Sequence, residues 1–306
     1  MLSRKEERNK LLQKMKMEIN RREIQAKLLK YGGLYNLLRK TGIITIIDFT
    51  VTTFINIIFK KLKYFYRLRS TDYGLLEALF YPRNIDQWSR YAHVVNEIKK
   101  FKTKGKILEV GSGESGIISF FFNQNYEIFL VDIREDVFKG SRRAHCIVGD
   151  GCRLPFRDKA FDIVISVDTV EHIPKPIRHN FYKELKRVAR EKIILSCPLQ
   201  SNDGMFQGKN YDIIFQTLYE KIYGVKEPNT AQHIAAGHPT LEEIKKEFSD
   251  PIIHGYKNCE VWLKYMLFSH KPLLGLFCGL LYCLLWKKDD KKPPFYGAII
   301  VISNLT

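Results

Sequence analysis

Three carboxylates stand at the ends of successive apolar runs. Glu109 closes Lys106-Ile-Leu-Glu-Val110 just ahead of Gly111-Ser112-Gly113, Asp132 ends Ile128-Phe-Leu-Val-Asp132, and Asp150 lies in Val148-Gly-Asp-Gly151. Glycines at 111, 113 and 116 let the backbone turn sharply and approach a ligand where a Cβ would collide. Read alone, that spacing also matches a dinucleotide-binding turn. The carboxylates narrow the choice. A pyrophosphate gains nothing from an acid at Glu109, whereas a cationic ligand does. Asp132 occupies the position from which a carboxylate accepts hydrogen bonds from both ribose hydroxyls, and Asp150 can accept from an adenine amino group. Singly, each is ordinarily a cap or a solvated loop residue; jointly they describe a ligand with a ribose, an adenine and a positive charge but no phosphate.

A second group follows the apolar run Phe161–Val167, in Asp168-Thr-Val-Glu171-His172-Ile-Pro174. His172, with an unperturbed pKa near 6.5, could take a proton from a hydroxyl acceptor, or it could serve packing or the cofactor shell. Asp168, Glu171 and His172 together are adequate ligands for a divalent ion, although the expectation is a site without metal. His233 and His238, in Gln232-His-Ile-Ala-Ala-Gly-His238, are candidates for an acceptor pocket or for loop packing. The six cysteines show no CxxC pair and no zinc spacing, which predicts free thiols and a reducing compartment.

The elements that must position these groups read as strands alternating with helices, the rhythm of a mostly parallel sheet. Strands are predicted over Lys106–Val110, Glu127–Val131, His145–Val148, Phe161–Val167, Lys192–Ser196, Ile252–Gly255 and Tyr296–Ser303. Helices are predicted over Ile117–Asn123, Ile177–Ala189 and Leu241–Phe248. Ahead of them the chain is different. Residues 1–69 carry 17 Lys/Arg against 5 Asp/Glu, so +12 of the +17 formal charge lies in under a quarter of the 306 residues. Apolar residues at Leu12, Met15, Ile19, Ile24 and Leu28 give a basic amphipathic helix. The run from Ile43 to Phe59 contains Asp48 and is followed by lysines, arginines and aromatics, which suits a helix lying in a membrane interface better than a span. No apolar stretch of the signal-peptide kind directly follows the first charges. Residues 69–90 read as a connection. A second apolar segment, 261–286, interrupts the sheet before its last strand; Pro272 to Trp286 is uncharged, and Lys287-Lys288 follow. It either joins the first hydrophobic element at a membrane or packs with it as a lid.

The motifs Leu108-Glu-Val-Gly-Ser-Gly113, Val131-Asp132, Gly149-Asp150, Leu154-Pro-Phe156, Phe161–Asp168 and Glu171-His-Ile-Pro174 together resemble the class I S-adenosylmethionine-dependent methyltransferases, specifically their broad small-molecule (type 11-like) branch. The resemblance covers about residues 91–200. It implies that Glu109 and Gly111, Ser112 and Gly113 flank the methionine part of the cofactor. Asp132 would hold the ribose, with Ile133 beside it among the cofactor-binding residues, Asp150 with Gly151 would meet the adenine, and Ser166 and Val167 would line the cofactor's other side. Asp168, Glu171 and His172 are similar to the acidic-x-x-Glu-His pattern with which some ubiquinone-pathway O-methyltransferases hold a metal.

The sequence therefore predicts an α/β protein with a Rossmann-like, seven-stranded, doubly wound sheet in residues 71–306, a hydrophobic insertion at 261–286 and a basic helical extension over 1–70. The expected function is methyl transfer from S-adenosylmethionine to a small-molecule acceptor, lipid or lipid-linked, at the cytoplasmic face of a membrane. RNA methylation through the basic N-terminus is a rival, weakened because the Asn/Asp-Pro-Pro-aromatic signature of base-methylating enzymes is absent where Val167-Asp-Thr-Val170 stands. A non-catalytic, membrane-attached cofactor-binding protein is another.

Overall fold

The computed structural model describes residues 85–101, 105–114, 116–117, 120–121, 125–138, 143–269 and 272–303. The expected basic helix and the apolar run at 43–59 lie outside the described residues, as does most of the helix expected at 117–123.

Seven strands form one sheet in the order β3-β2-β1-β4-β5-β7-β6, with β1 (Gly105–Val110), β2 (Tyr126–Asp132), β3 (His145–Val148), β4 (Phe161–Val167), β5 (Ala189–Pro198), β6 (Ile252–Asn258) and β7 (Phe295–Ile302). The first five are parallel; β7 is antiparallel to both neighbours. Every residue of β4 is buried, because helices cover both faces, and the strand reads as an apolar run broken only by Asp162 and Ser166. Alternation sorts the side chains between the faces. Ile107, Ile163, Ile165 and Ile194 pack with α1 (Ile85–Lys99), while Leu108, Val164, Ile193 and Leu195 pack with α2 (Arg178–Val188) and α5 (Leu241–Glu247).

Helix α1 begins inside the stretch expected to be a connection, so the folded domain reaches back at least to Ile85. Its buried residues Ile85, Trp88, Tyr91, Ala92, Val95 and Ile98 recur at helical spacing and press it onto the sheet. Two further helices, α3 (Gly208–Tyr223) and α4 (Pro228–Ala236), sit beyond the carboxyl end of β5. Between β6 and β7 the hydrophobic insertion folds as α6 (Cys259–Ser269), α7 (Pro272–Leu281) and a π-type turn, Tyr282–Trp286. Helix α6 packs on α3 through Trp262, Leu263 and Leu267, and the Trp262 ring stacks on Tyr296 with centroids 3.9 Å apart. Cys278, Tyr282 and Trp286 turn α7 and its extension inward, whereas Phe277, Leu280, Leu284 and Leu285 on the outer side are exposed. Among the described residues, no helix is long and apolar enough to cross a membrane.

Candidate active site

The sheet reverses its winding direction between β1 and β4, and a crevice opens there at the strands' carboxyl ends, the place where open α/β sheets bind ligands. A cavity of about 610 Å³ fills it, lined by Gly111, Gly113, Asp132, Ile133, Asp150, Gly151, Phe181 and His172 among others. Gly111 has φ +75°, and a Cβ there would run into the Thr169 side chain; Gly113, at φ +53°, faces open space. The glycines therefore serve two needs, close packing of the turn against β4 and a left-handed backbone beside the ligand space. The Asp132 carboxylate accepts hydrogen bonds from the Gly113 and Arg134 amides at 2.9 and 3.0 Å. Both bonds fix its orientation at the cavity wall while leaving lone pairs for ligand hydroxyls. Asp150 accepts from the Cys152 amide at 2.8 Å, and a Cβ on Gly151 would meet the Phe181 ring at 2.7 Å.

A second cavity, of about 470 Å³, adjoins the first and shares Gly111, Gly113, Arg134, Asp168, His172 and Asn229 with it. Its other walls are Asp86, Arg90 and Tyr91 of α1, Ser112, Val167, Trp262 and Met266 of α6, Tyr296, and Thr230 and His233 of α4. Much of this wall is ionic. Arg90 bridges Asp86 and Asp168, and Lys257 also binds Asp86. Burial would raise the Asp86 pKa, but Arg90 and Lys257 outweigh it and bring it down to about 2. Asp168 sits at φ +48°, a conformation a non-glycine residue rarely adopts, and its ion pair with Arg90 accompanies that strain.

Behind the cavity lies a buried cluster. Asp212, with no solvent exposure, accepts hydrogen bonds from His233 Nδ1 at 2.9 Å, His238 Nε2 at 2.7 Å and the Tyr296 hydroxyl at 2.7 Å. Burial favours its neutral form, yet the two histidines hold its carboxyl below the usual range. Through Nδ1 it orients His233, whose Nε2 lies 3.2 Å from His172 Nε2. Burial lowers the His172 pKa, only partly offset by Glu171, so its ring is neutral near pH 7. Arg178, almost wholly buried, donates to the Ile173 carbonyl next to His172, to the Gly237 carbonyl and to Glu243.

The family model described as a methyltransferase domain matches residues 108–197, the span that holds the glycine turn, all three strand-end carboxylates and His172. This span is thus a methyltransferase domain. No curated protein matches it. Among solved structures, the PH0226 protein of Pyrococcus horikoshii is 27% identical over 41% of this chain and 62% of its own, with a TM-score of 0.34. The YcgJ protein of Bacillus subtilis is 15% identical over 68% of this chain and 95% of its own, with a TM-score of 0.42. A phosphoethanolamine N-methyltransferase of Haemonchus contortus, solved with phosphomonomethylethanolamine and S-adenosylhomocysteine, is 14% identical over 71% of this chain and 52% of its own, with a TM-score of 0.44.

S-adenosylmethionine is the methyltransferase's methyl donor, and the crevice fits it on an observation of the chain itself. The buried Ser112 hydroxyl has no hydrogen-bond partner, and it lies on the turn between the two cavities. Of the residues expected to bind the cofactor, Gly111, Gly113, Asp132, Ile133, Asp150 and Gly151 line the first cavity, and Ser112 and Val167 line the second. Two differ. Glu109 is fully buried and lines neither cavity; its carboxylate accepts from the Ile117 amide at 2.5 Å and from the Tyr91 hydroxyl at 2.9 Å, bracing the glycine turn from behind. Burial pushes its pKa up to about 8 despite those donors. Ser166 is likewise buried, and its hydroxyl donates to the Val110 carbonyl at 2.9 Å, tying β4 to β1. Sequence reasoning missed Asp86, Arg90 and Asp212. A lone acid on the apolar helix α3, 21 and 26 residues ahead of two histidines, was the available sign.

Proposed function

We propose that this methyltransferase acts on a lipid or lipid-linked acceptor that it meets at a membrane surface. The observation that carries the reading is the outer side of the insertion. Phe277, Leu280, Leu284 and Leu285 are exposed at helical spacing on a segment whose inner side is already apolar, and Lys287 and Lys288 follow at its end. A helix apolar all round is normally enclosed; an exposed apolar side closed by lysines suits the boundary between acyl chains and anionic headgroups. Helix α7 packs on α6, and Trp262 and Met266 of α6 line the second cavity, so an acceptor entering from that side has a short apolar route.

In this reading the first cavity holds the cofactor's nucleoside, and its methionine part reaches along the turn into the second cavity. Asp132 with Ile133 takes the ribose, Asp150 with Gly151 the adenine, and the turn 111–113 with Val167 the methionine part. Bound S-adenosylmethionine supplies an electrophilic methyl group on a sulfonium. The chain's contribution is then mainly placement of the acceptor in line with that group, with acid–base help as a further factor. His172 borders both cavities, and its neutral ring activates the acceptor atom by taking up its proton.

Flotation of the full chain with vesicles tests the membrane reading. Wild type should rise with vesicles containing anionic lipid, and Leu284→Glu with Leu285→Glu should cut the bound fraction at least fivefold while leaving S-adenosylmethionine affinity unchanged. Equal binding by both proteins would remove the insertion from the argument.

A further inference from the structure

Glu171 is fully buried, and neither of its carboxylate oxygens has a hydrogen-bond partner. An unpaired buried carboxylate is costly unless a proton or a cation compensates it. The Arg90 guanidinium exerts its charge on Glu171 but gives its hydrogen bonds to Asp86 and Asp168. What does face Glu171 is a pair of imidazoles. His233 Nε2 lies 4.0 Å from a Glu171 oxygen, and the two Nε2 atoms of His233 and His172 oppose each other at 3.2 Å. Ligand atoms of all three side chains fall within 4.8 Å of one another.

We infer that Glu171, His172 and His233 form a binding site for a divalent transition-metal ion of the zinc type. An ion bonded at 2.0–2.2 Å to tetrahedral ligands holds those ligand atoms about 3.4 Å apart, close to the spacing between the two imidazoles. Two imidazoles with one carboxylate suit zinc, cobalt or iron(II) rather than magnesium or calcium, which prefer all-oxygen shells. The surroundings are arranged for ligation as well. Asp212 engages His233 at Nδ1 and so leaves Nε2 as the ligating atom, the carboxylate–histidine–metal pattern that fixes a ring's tautomer. His172 and His233 both line the second cavity, so an ion between them keeps open positions toward the acceptor. Asp168, the third member of the alternative ligand set read in the sequence, is not part of this cluster: Arg90 binds it, and His233, sixty-one residues beyond His172, takes that place.

Metal binding rests on these three side chains alone; only its consequence rests on the methyltransferase reading. A bound ion would supply Lewis-acid chemistry at the acceptor atom, in place of the proton uptake otherwise assigned to the His172 ring.

The test uses tag-free full-length protein, stripped with chelator and titrated with Zn²⁺ by calorimetry and with Co²⁺ by visible absorption. One ion per chain with micromolar or tighter affinity and the absorption of a four- or five-coordinate Co²⁺ are expected. His233→Gln and Glu171→Gln should each weaken binding at least a hundredfold, and Asp168→Asn less than threefold. Thermal melts of the metal-free variants verify that they fold. Absence of saturable binding below 1 mM in the wild type, or full retention in folded His233→Gln, overturns the site. Loss in Asp168→Asn with retention in His233→Gln overturns it in favour of the Asp168 set. S-adenosylmethionine affinity on the same samples separates failure of the metal site from failure of the methyltransferase reading.

Discussion

The two cavities are built in opposite ways. The first cavity is a product of strand ends: Gly111, Asp132 and Asp150 lie at or just after the ends of β1, β2 and β3, and their polar bonds go to neighbouring backbone amides. The second cavity is assembled across the chain, with α1, the β4 loop, α3, α4, α6 and β7 each contributing a wall residue or its buried support. Local construction tolerates change elsewhere and preserves one ligand; assembled construction makes a site whose chemistry and folding share the same atoms.

That contrast is sharpest at the two aspartates. Asp212→Ala leaves three buried donors without their acceptor and should cost about 3–5 kcal/mol of folding stability, read from urea unfolding. A cost under 1 kcal/mol would break the claim that the acceptor half folds through its polar cluster. Asp132→Ala should do the reverse. Folding stability should change little, while S-adenosylmethionine affinity falls about 10- to 100-fold, the 1.5–3 kcal/mol of hydrogen bonds to a charged group, measured by calorimetry. Loss of folding there would place Asp132 with the assembled half.

Glu109 yields the smallest effect and a directional one. Its folded pKa of about 8 lies above its ordinary value of 4.5, so the folded chain holds a proton that the unfolded chain releases. Its contribution is fully present below pH 4.5 and is lost as pH rises toward 8, at about 1.4 kcal/mol per pH unit. Comparing urea unfolding at pH 6 and pH 7, wild type should lose about that much more stability than Glu109→Gln. Parallel behaviour of the two proteins would mean that the carboxyl is ionised beneath the turn.

The same contrast explains what was legible in the sequence. Strands β3 and β4 fall on the residues expected, and β1, β2 and β7 within one residue at each end, because glycine turns and apolar runs are local signals. Strand β5 runs three residues further at its start and two at its end than expected, and β6 three further at its end, since Ala189 and Asn258 join the sheet through partners that their own neighbourhood does not announce. Glu109 illustrates the limit of spacing arguments. Position at a strand end places it beside the ligand turn, but alternation within β1 decides which side of the turn the carboxylate reaches, and Tyr91 on α1 receives it. The first six residues of α1 fall in the stretch read as a connection, for the related reason that Asp86 and Arg90 break its apolar face, and their partners Lys257 and Asp168 lie 171 and 78 residues away. Asp212 could not be paired with His233 and His238 until helices α3 and α4 were folded together.

Arg178 gives this architecture an unexpected usefulness. One guanidinium grips the carbonyl beside His172, the carbonyl that ends α4 and the Glu243 carboxylate on α5. The segment from 208 to 236 therefore returns to the rest of the fold at Gly237, where a single side chain also holds the loop after β4 and α5. For enzyme engineering this marks Gly237 as a natural splice point, because Arg178 and Glu243 hold the chain there independently of what precedes it.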